Sequence, residues 1–382
     1  MPKALFATTV AISCEGFLPQ LAGYLRTKGW RVDAMANGIS RNRCRDAFDA
    51  VWEVDWSRDP LAPTNLLKAP AEVRQTVENV GFDIVHVHTP VAAFVLRFAL
   101  RKAMRSRPVV VYTAHGFHFH PHGAPLSNAA FAGLEKLAGR WTDYLVVINR
   151  TDERAAKDLG IVPEDRVRFL PGVGVDTCRF DPNSLSHDQV ADLRRDLNIG
   201  ARDPVFTMAA EFTDNKRQAD ALRALARLGR PEVRLLFAGT GPKLEAMKRL
   251  ASELGLQSQA RFLGFRRDVP LLMSASNAVL LCSRREGLPM CVMEAMSLGV
   301  PVIGTRTRGT ADLLEPDAGV LVGVGDVKAL SAAMSRVIDQ PHEAALTARK
   351  GLQRIRAYGR DRLIELHAAL YDEVLGRTMG MD

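Results

Sequence analysis

Short apolar runs alternate with helical stretches along most of the chain, and this alternation constrains the fold more than any single motif. Such a pattern indicates parallel sheets covered by helices on both faces. It restarts near Val205, and 382 residues suffice for two domains with a core each. We therefore predict an α/β protein with doubly wound parallel sheets. The predicted strands include Ala4–Val10, Arg31–Met35, Ala50–Glu53, Ile84–His88, Val109–Thr113, Tyr144–Ile148, Val205–Ala209, Val233–Ala238 and Asn277–Ser283.

The composition is that of a soluble globular protein, with 47% hydrophobic and 25% charged residues. A net charge of +8 fits attraction to a phosphate-bearing substrate or an anionic membrane surface. No recognition-helix, zinc-finger or stacking motif accompanies this charge, so we expect no nucleic acid as a partner. The five cysteines are scattered without CxxC spacing, which indicates reduced thiols in a cytoplasmic protein.

The amino-terminal apolar run superficially imitates a signal peptide. The run is short, its charged flank is thin, and a glycine turn with a helical pattern follows at once. We interpret it as the first buried strand of a parallel sheet. No run in the sequence reaches the length of a transmembrane helix.

The most informative motif is Glu286-Gly-Leu-Pro-Met-Cys-Val-Met-Glu294. It follows a predicted buried strand, so its first residues form the loop after the strand, and a helix is predicted to begin near Met290. The unpaired amides of the first helical turn favour a phosphate or sugar oxygen, while the two carboxylates accept from sugar hydroxyl groups. The alternative is a helix whose acidic residues are favoured only by the helix dipole.

The longer string Glu-Gly-Leu-Pro-x4-Glu-Ala-Met, followed by Gly-Val-Pro-Val-Ile-Gly, resembles the Glu-x7-Glu signature of retaining glycosyltransferases of family four. The resemblance extends over nearly the whole chain. It implies a GT-B fold, in which two Rossmann-like doubly wound domains face a central cleft. It also implies an acceptor-binding domain at 1–177, a nucleotide-sugar-binding domain at 178–358, and a C-terminal helix at 359–382 that crosses back to the first domain.

The resemblance assigns the donor site residue by residue. Glu294 is expected to bind the ribose hydroxyls and Glu286 the donor sugar, while Lys216 binds the diphosphate. The family usually has an arginine five residues before this lysine; Glu211 stands there instead, and Arg217 is the candidate to restore the charge. The further donor-binding candidates are Gly16, Gly239, Gly241, Phe265, Arg266, Gly287, Leu288, Pro289 and Met290.

Histidines cluster after two predicted strands of the first half. His86 and His88 share one face of a strand, which allows a metal pair, but no third ligand is evident nearby, and the strand end favours substrate hydrogen bonding at His88. Thr113-Ala-His115-Gly116 resembles a family element whose histidine contacts the donor sugar, so His115 is the third catalytic candidate beside Lys216 and Glu286. The remaining histidines of this tract are acceptor-side candidates: His118, His120 and His122.

Residues 91–107 are predicted to form one helix with a basic end. Two interpretations are open, a solvated helix end favoured by the dipole or a surface attracted to anionic lipid. The second suits a protein that sits peripherally on the inner face of the cell membrane and acts on a polyprenyl diphosphate.

The sequence Thr-Ala-His-Gly-Phe-His-Phe particularly resembles the corresponding segment in enzymes of bacterial exopolysaccharide, capsule and lipid-linked oligosaccharide synthesis. It implies transfer of a hexose or N-acetylhexosamine from a UDP-sugar to a saccharide or lipid-linked acceptor. No Asp-x-Asp pair occurs, so we expect no metal and no cofactor besides the nucleotide sugar. Three alternatives remain: a nucleotide-sugar epimerase or hydrolase, a non-catalytic sugar-nucleotide-binding subunit, and a dehydrogenase, which lacks its Gly-x-Gly-x-x-Gly motif after the first strand.

Overall fold

The computed structural model describes residues 1–59, 62–102, 107–120 and 123–379. The chain divides into two compact units. The first contains Met1–Gly174 and the C-terminal segment that begins at Arg360, and the second is Val175–Gly359. His122 and positions 103–106 of the basic segment lie outside the described residues.

The first unit is built on a parallel sheet of seven strands in the order β3-β2-β1-β4-β5-β6-β7. The central strands are buried on both faces, which is why they appear as continuous apolar runs in the sequence. The seven strands are β1 Lys3–Val10, β2 Arg31–Asn37, β3 Val51–Glu53, β4 Ile84–His88, β5 Val109–Ala114, β6 Tyr144–Val147 and β7 Val167–Phe169. The helices between them are α1 Leu18–Thr27, α2 Pro63–Leu66, α3 Ala69–Val80, α4 Pro90–Ala99, α5 Pro125–Gly139 and α6 Arg150–Asp158.

The prediction of one helix over residues 91–107 is wrong, because α4 ends at Ala99. The chain turns at this point and Leu100 packs into the core with no exposed surface. Arg97 is also not part of a basic surface. Its side chain is 1% exposed and its guanidinium lies 3.1 Å from the carboxylate of Glu135. Arg107, farther along, pairs with Asp143 at 3.1 Å.

The second unit holds a parallel sheet of six strands in the order β10-β9-β8-β11-β12-β13. Val175 donates to the Tyr358 carbonyl at 2.9 Å, so the chain enters and leaves this unit side by side. Its strands are β8 Val205–Ala209, β9 Arg234–Ala238, β10 Ala260–Phe262, β11 Ala278–Leu281, β12 Val302–Thr305 and β13 Val320–Val322. Its helices are α7 His187–Asp196, α8 Gln218–Leu228, α9 Leu244–Glu253, α10 Val269–Ser274, α11 Met290–Ser297, α12 Arg308–Leu314, α13 Val327–Asp339 and α14 Pro341–Ile355.

The last helix, α15 at Arg360–Met379, completes the first unit. Its residues Leu363, Leu370 and Tyr371 are buried in the same cluster as Phe6 and Trp30. Within the described residues, no helix combines the length and the apolar character needed to span a membrane.

In both sheets the order in which the chain adds strands reverses next to the first strand, between β1 and β4 in the first unit and between β8 and β11 in the second. In open α/β sheets, ligands bind beyond the carboxyl ends of the strands at such a switch point. The loops after these four strands are therefore where a site is expected in each unit.

Candidate active site

Two loops of the second unit meet at its switch point. We call residues 210–217, after β8, the lysine loop and residues 284–289, after β11, the motif loop. Asn215 joins them, because its carbonyl accepts from the Arg284 amide at 2.7 Å and its side chain bonds the backbone of Arg285 at 3.1 and 3.0 Å. The lysine loop is thereby fixed against the motif loop through backbone groups.

This junction places two of the predicted catalytic residues in direct contact. The ammonium group of Lys216 lies 2.6 Å from Oε1 of Glu286. The side chains are 24% and 12% exposed. Burial is the largest single effect and opposes the charge on Lys216, but the neighbouring acidic groups, Glu286 foremost, together raise the pKa of Lys216. A charged lysine and a carboxylate are therefore held together at the carboxyl ends of the strands.

The helix after the motif loop begins as predicted at Met290, with Pro289 before it. Glu294 lies half-buried in the second turn, and the first turn of α11 contains no acidic residue. Because the dipole effect falls off within the first turn, it does not account for a glutamate at this position. Gly287 and Leu288 are half-buried beside the start of the helix, whose first amides have no partner in the helix itself.

Arg217, the predicted replacement for the missing family arginine, is paired with a carboxylate in this structure. Its guanidinium makes two hydrogen bonds to Asp220, at 2.6 and 3.0 Å. These bonds raise the pKa of Arg217. Glu211 is exposed, and its backbone carbonyl accepts from the Gln218 side chain at 2.9 Å. Lys216 is thus the cation of this loop that faces the motif loop.

Glycines let the surrounding loops approach closely. A methyl group at Gly239 would lie 2.1 Å from the Ala210 carbonyl oxygen, and one at Gly241 would lie 2.6 Å from the Phe212 amide nitrogen. Both residues have φ near +150°, which favours glycine. These two predicted donor-binding glycines therefore pack the loop after β9 against the lysine loop.

The loop after β10 carries the two predicted base-binding residues. Phe265 is 74% exposed, and the Arg266 guanidinium is paired with the carboxylate of Asp268. The Gly239 amide donates to the Gly264 carbonyl at 2.7 Å, which ties this loop to the neighbouring glycine turn. An exposed aromatic ring next to a planar guanidinium can stack on a base.

A hydrogen-bonded group of histidines occupies the switch point of the first unit. Nδ1 of His88 lies 3.1 Å from Nε2 of His115, and Nε2 of His86 lies 2.7 Å from the Thr113 hydroxyl. His115 is exposed at the end of β5, whereas His88 is 4% exposed. Nε2 of His88 has no hydrogen-bond partner within the described part of the chain. The structure thus joins two predicted site histidines, one accessible and one buried.

The C-terminal helix adds two residues to this group that the sequence did not indicate. The Tyr371 hydroxyl bonds Nδ1 of His86, and the His367 ring lies 5.9 Å from the His86 ring. Both residues come from a separate part of the chain, so no local pattern connects them to the strand histidines. Across the described ranges, no three side chains of histidine, cysteine, aspartate or glutamate converge in a metal-binding arrangement.

The other candidates of the first unit lie near the ends of β1 and β5. Gly16 is exposed, with no atom within 4 Å of a methyl group added there. His118 is exposed and its ring lies 5.2 Å from the Phe131 ring. The His120 amide donates to the Asn128 side chain at 3.1 Å.

Comparisons with known proteins identify the family of the chain. Residues 17–179 match the family described as Glycosyltransferase Family 4, and residues 189–362 match Glycosyl transferases group 1. EpsD of Bacillus subtilis (strain 168), a glycosyltransferase by name, is 32% identical over 373 residues, which cover 97% of this chain and 96% of EpsD. The chain belongs to glycosyltransferase family four. The predicted family is confirmed.

Two further comparisons extend the family assignment. An Escherichia coli enzyme named UDP-Gal:alpha-D-GlcNAc-diphosphoundecaprenol alpha-1,3-galactosyltransferase is 27% identical over 280 residues, which cover 72% of this chain and 70% of that enzyme. Anabaena HepE, solved in complex with UDP, superimposes with a TM-score of 0.81 at 20% identity and covers 98% of this chain and 100% of HepE. The fold of this family-four glycosyltransferase is GT-B, as predicted.

The close packing around the motif loop leads to a prediction about Gly309. A methyl group added at Gly309 would lie 2.0 Å from the Gly287 carbonyl oxygen. That oxygen is a backbone atom, so it cannot rotate away. We expect Gly309→Ala to lower the unfolding free energy by about 1–3 kcal/mol, the usual range for overpacking. Urea unfolding followed by circular dichroism measures this loss. Gly323→Ala is the matched control, since its methyl group meets Asp326 at an ordinary 3.4 Å; equal stability of the two variants would contradict the prediction.

Proposed function

We propose that this glycosyltransferase moves a sugar from a UDP-linked donor to a saccharide or polyprenyl-diphosphate-linked acceptor in bacterial surface-glycan synthesis, with retention at the anomeric carbon. The observation that carries the proposal is the Lys216–Glu286 contact of 2.6 Å at the switch point of the second unit. It places a cation for the diphosphate and a carboxylate for the sugar beside the start of α11. Glu294, one turn into α11, is the proposed ligand of the ribose hydroxyls.

The proposed chemistry is front-face displacement within an ion pair. The bond from the anomeric carbon to the diphosphate oxygen breaks, and the acceptor oxygen bonds to that carbon on the same face. The departing diphosphate takes the proton of the acceptor hydroxyl. Lys216 and the amides of residues 287–290 stabilise the charge that develops on the leaving oxygen, which is where fixed charges accelerate a reaction most. In this proposal His115 orients the donor sugar.

The identity of the donor base and of the acceptor is supported by the relatives. HepE was solved with UDP, and the name of the Escherichia coli enzyme gives UDP-galactose as donor and a diphosphoundecaprenol-linked sugar as acceptor. Phe265, 74% exposed beside Arg266, supplies the flat surface that the proposed uracil would need. The transferred sugar is proposed only as a hexose or N-acetylhexosamine.

The donor site is tested by thermal unfolding with UDP, GDP or NAD. UDP is expected to raise the melting temperature by several degrees, because a ligand at 100 times its Kd stabilises the folded state by about 2.7 kcal/mol. Glu294→Ala is expected to abolish this shift, whereas the control Glu245→Ala, at an exposed position of α9, is expected to keep it. A response to GDP or NAD alone, or an undiminished UDP shift in Glu294→Ala, would contradict the donor-site assignment.

Turnover separates transfer from the other reactions of sugar nucleotides. We expect release of UDP from a UDP-sugar to require a saccharide or lipid-linked acceptor, and nuclear magnetic resonance of the product to show the anomeric configuration of the donor. Release of free sugar without acceptor would indicate a hydrolase, and C-epimerised donor would indicate an epimerase. Either result would refute the proposed transfer.

A further inference from the structure

The first unit contains an apolar cavity of about 860 Å³ at its switch point. Thr9 and Val10 at the end of β1 and Thr89 after β4 form one end of it. Its volume lies within the range of about 300–1,000 Å³ that is usual for ligand pockets. The cavity therefore combines the position and the size of a binding site.

The walls of the cavity are mainly hydrocarbon. Helix α4 contributes Val91, Phe94 and Val95, and helix α5 contributes Phe131 and Leu134. A surface of this composition gains free energy by covering apolar ligand atoms, and it offers few groups for a polar ligand.

Two pairs of polar groups in the lining are bonded to each other. Arg97 lies 3.1 Å from Glu135, and its guanidinium stands 4.2 Å from the centre of the Tyr112 ring. The hydroxyls of Thr9 and Thr89 are 2.8 Å apart. These pairs satisfy buried charges and hydroxyl groups internally, so the deep part of the cavity favours a hydrocarbon over a sugar.

The outer part of the cavity is lined by exposed leucines and by an exposed arginine. Leu66 and Leu134 are 52% and 46% exposed, so the apolar surface continues outward. Arg58, also in the lining, is exposed, and within the described ranges it makes no ion pair. A cation at an apolar cavity is complementary to a ligand with a phosphate at one end and a hydrocarbon at the other.

We propose that this cavity holds the prenyl chain of a diphosphate-linked acceptor, with Arg58 facing the diphosphate. The assignment rests on the proposed function, because it places the lipid part of the proposed acceptor. It follows from the hydrocarbon walls and from the exposed cation Arg58 in the outer part of the cavity. One relative carries diphosphoundecaprenol in its name as the acceptor carrier, which matches this chemistry.

The test is calorimetric binding of farnesyl diphosphate and of inorganic diphosphate to the full chain without donor. Farnesyl diphosphate is expected to bind at least 100-fold more tightly, since each buried methylene contributes a factor of about four. Leu134→Gln, which puts an amide into the lining, is expected to weaken farnesyl diphosphate binding at least 10-fold. Leu137→Gln is the matched control: Leu137 lies one turn further on α5, is 41% exposed and is outside the lining. It should change binding less than twofold.

Two outcomes would overturn the assignment. Equal affinity for the two diphosphates would show that the prenyl chain of the ligand contributes nothing to binding. Equal losses of affinity in Leu134→Gln and Leu137→Gln would show that the ligand adsorbs to the exposed face of α5. Val91→Phe provides a second variant, which fills the cavity without adding polarity and should also weaken binding at least 10-fold. Failure here is distinguishable from failure of the proposed function: farnesyl diphosphate binding without sugar transfer would refute the function alone, and transfer without such binding would refute the cavity alone.

Discussion

Replacing Lys216 by methionine is expected to lower kcat about 10²- to 10³-fold. Loss of one fixed group that stabilises developing negative charge typically has an effect of this size. Lys216 is the cation held against Glu286, at 2.6 Å, and the alternative cation Arg217 is bonded twice to Asp220. The variant therefore has no ready substitute in the lysine loop. Steady-state kinetics with a UDP-sugar and acceptor measure the change.

The comparison variants for Lys216 separate charge from position. Lys216→Arg keeps the charge but changes its shape, so we expect partial recovery of kcat. Lys243→Met removes a partly exposed lysine that pairs with the exposed Asp214, and kcat should remain within twofold of the wild type. Retention of wild-type kcat by Lys216→Met would remove this residue from the mechanism.

Acidification is expected to destabilise the first unit steeply. Its switch point holds three buried histidines: His86, His88 and His367 are 0%, 4% and 2% exposed. Burial lowers the pKa of His86 and His88 well below the usual value and that of His367 to about 4. The partners of His86 are the hydroxyls of Thr113 and Tyr371, which carry no charge to compensate a proton.

The sign of the effect follows from proton binding in the two states. The unfolded chain binds protons at histidine below about pH 6.5, while the native state keeps these rings neutral. Stability is therefore complete above about pH 6.5 and is lost as the pH falls toward the native pKa values, near 4 for His367. Between about pH 6.5 and 5.5 each histidine contributes roughly 1.4 kcal/mol, so the three together contribute about 4 kcal/mol over that one pH unit. This is a large fraction of the total stability of about 5–15 kcal/mol typical of a folded domain.

Tryptophan fluorescence reports this transition selectively, because the four tryptophans, at positions 30, 52, 56 and 141, all belong to the first unit. The urea midpoint is expected to fall sharply between pH 7.5 and 5.5. His367→Met should reduce the dependence by about one third, and His342→Gln, at an exposed position of the second unit, should leave it unchanged. A midpoint that is the same at both pH values would contradict the prediction.

The strands and the start of α11 could be predicted because their causes are local. A strand buried on both faces must be a continuous apolar run, and Pro289 followed by an apolar helix marks where the motif loop ends. Separate donor-site roles for Lys216 and Glu286 were expected only through the family resemblance, and the contact between them was not predicted. It joins two loops 70 residues apart, and Asn215, which fixes their geometry, lies in no motif of its own.

The parts that sequence reasoning missed depend on distant partners. The sequence placed Arg97 in a basic stretch. Its side chain is instead buried against Glu135 and Tyr112, which belong to a helix and a strand that come later in the chain. The guanidinium of Arg217 was expected to bind the donor diphosphate. In the structure it makes two hydrogen bonds to Asp220, three residues away. Tyr371 is hydrogen-bonded to His86 although the two residues are 285 positions apart in the chain, so no local sequence pattern could predict the contact.

The placement of α15 affects the order in which the molecule can be completed during translation. The first unit includes residues from Met1 onward, yet Leu363, Leu370 and Tyr371 of its core are synthesised only after the whole second unit. A nascent chain that has released only the first 174 residues lacks this part of the core, and the whole second unit must emerge before α15 does. A prematurely terminated product can therefore contain every residue of the second unit and still lack a finished first unit.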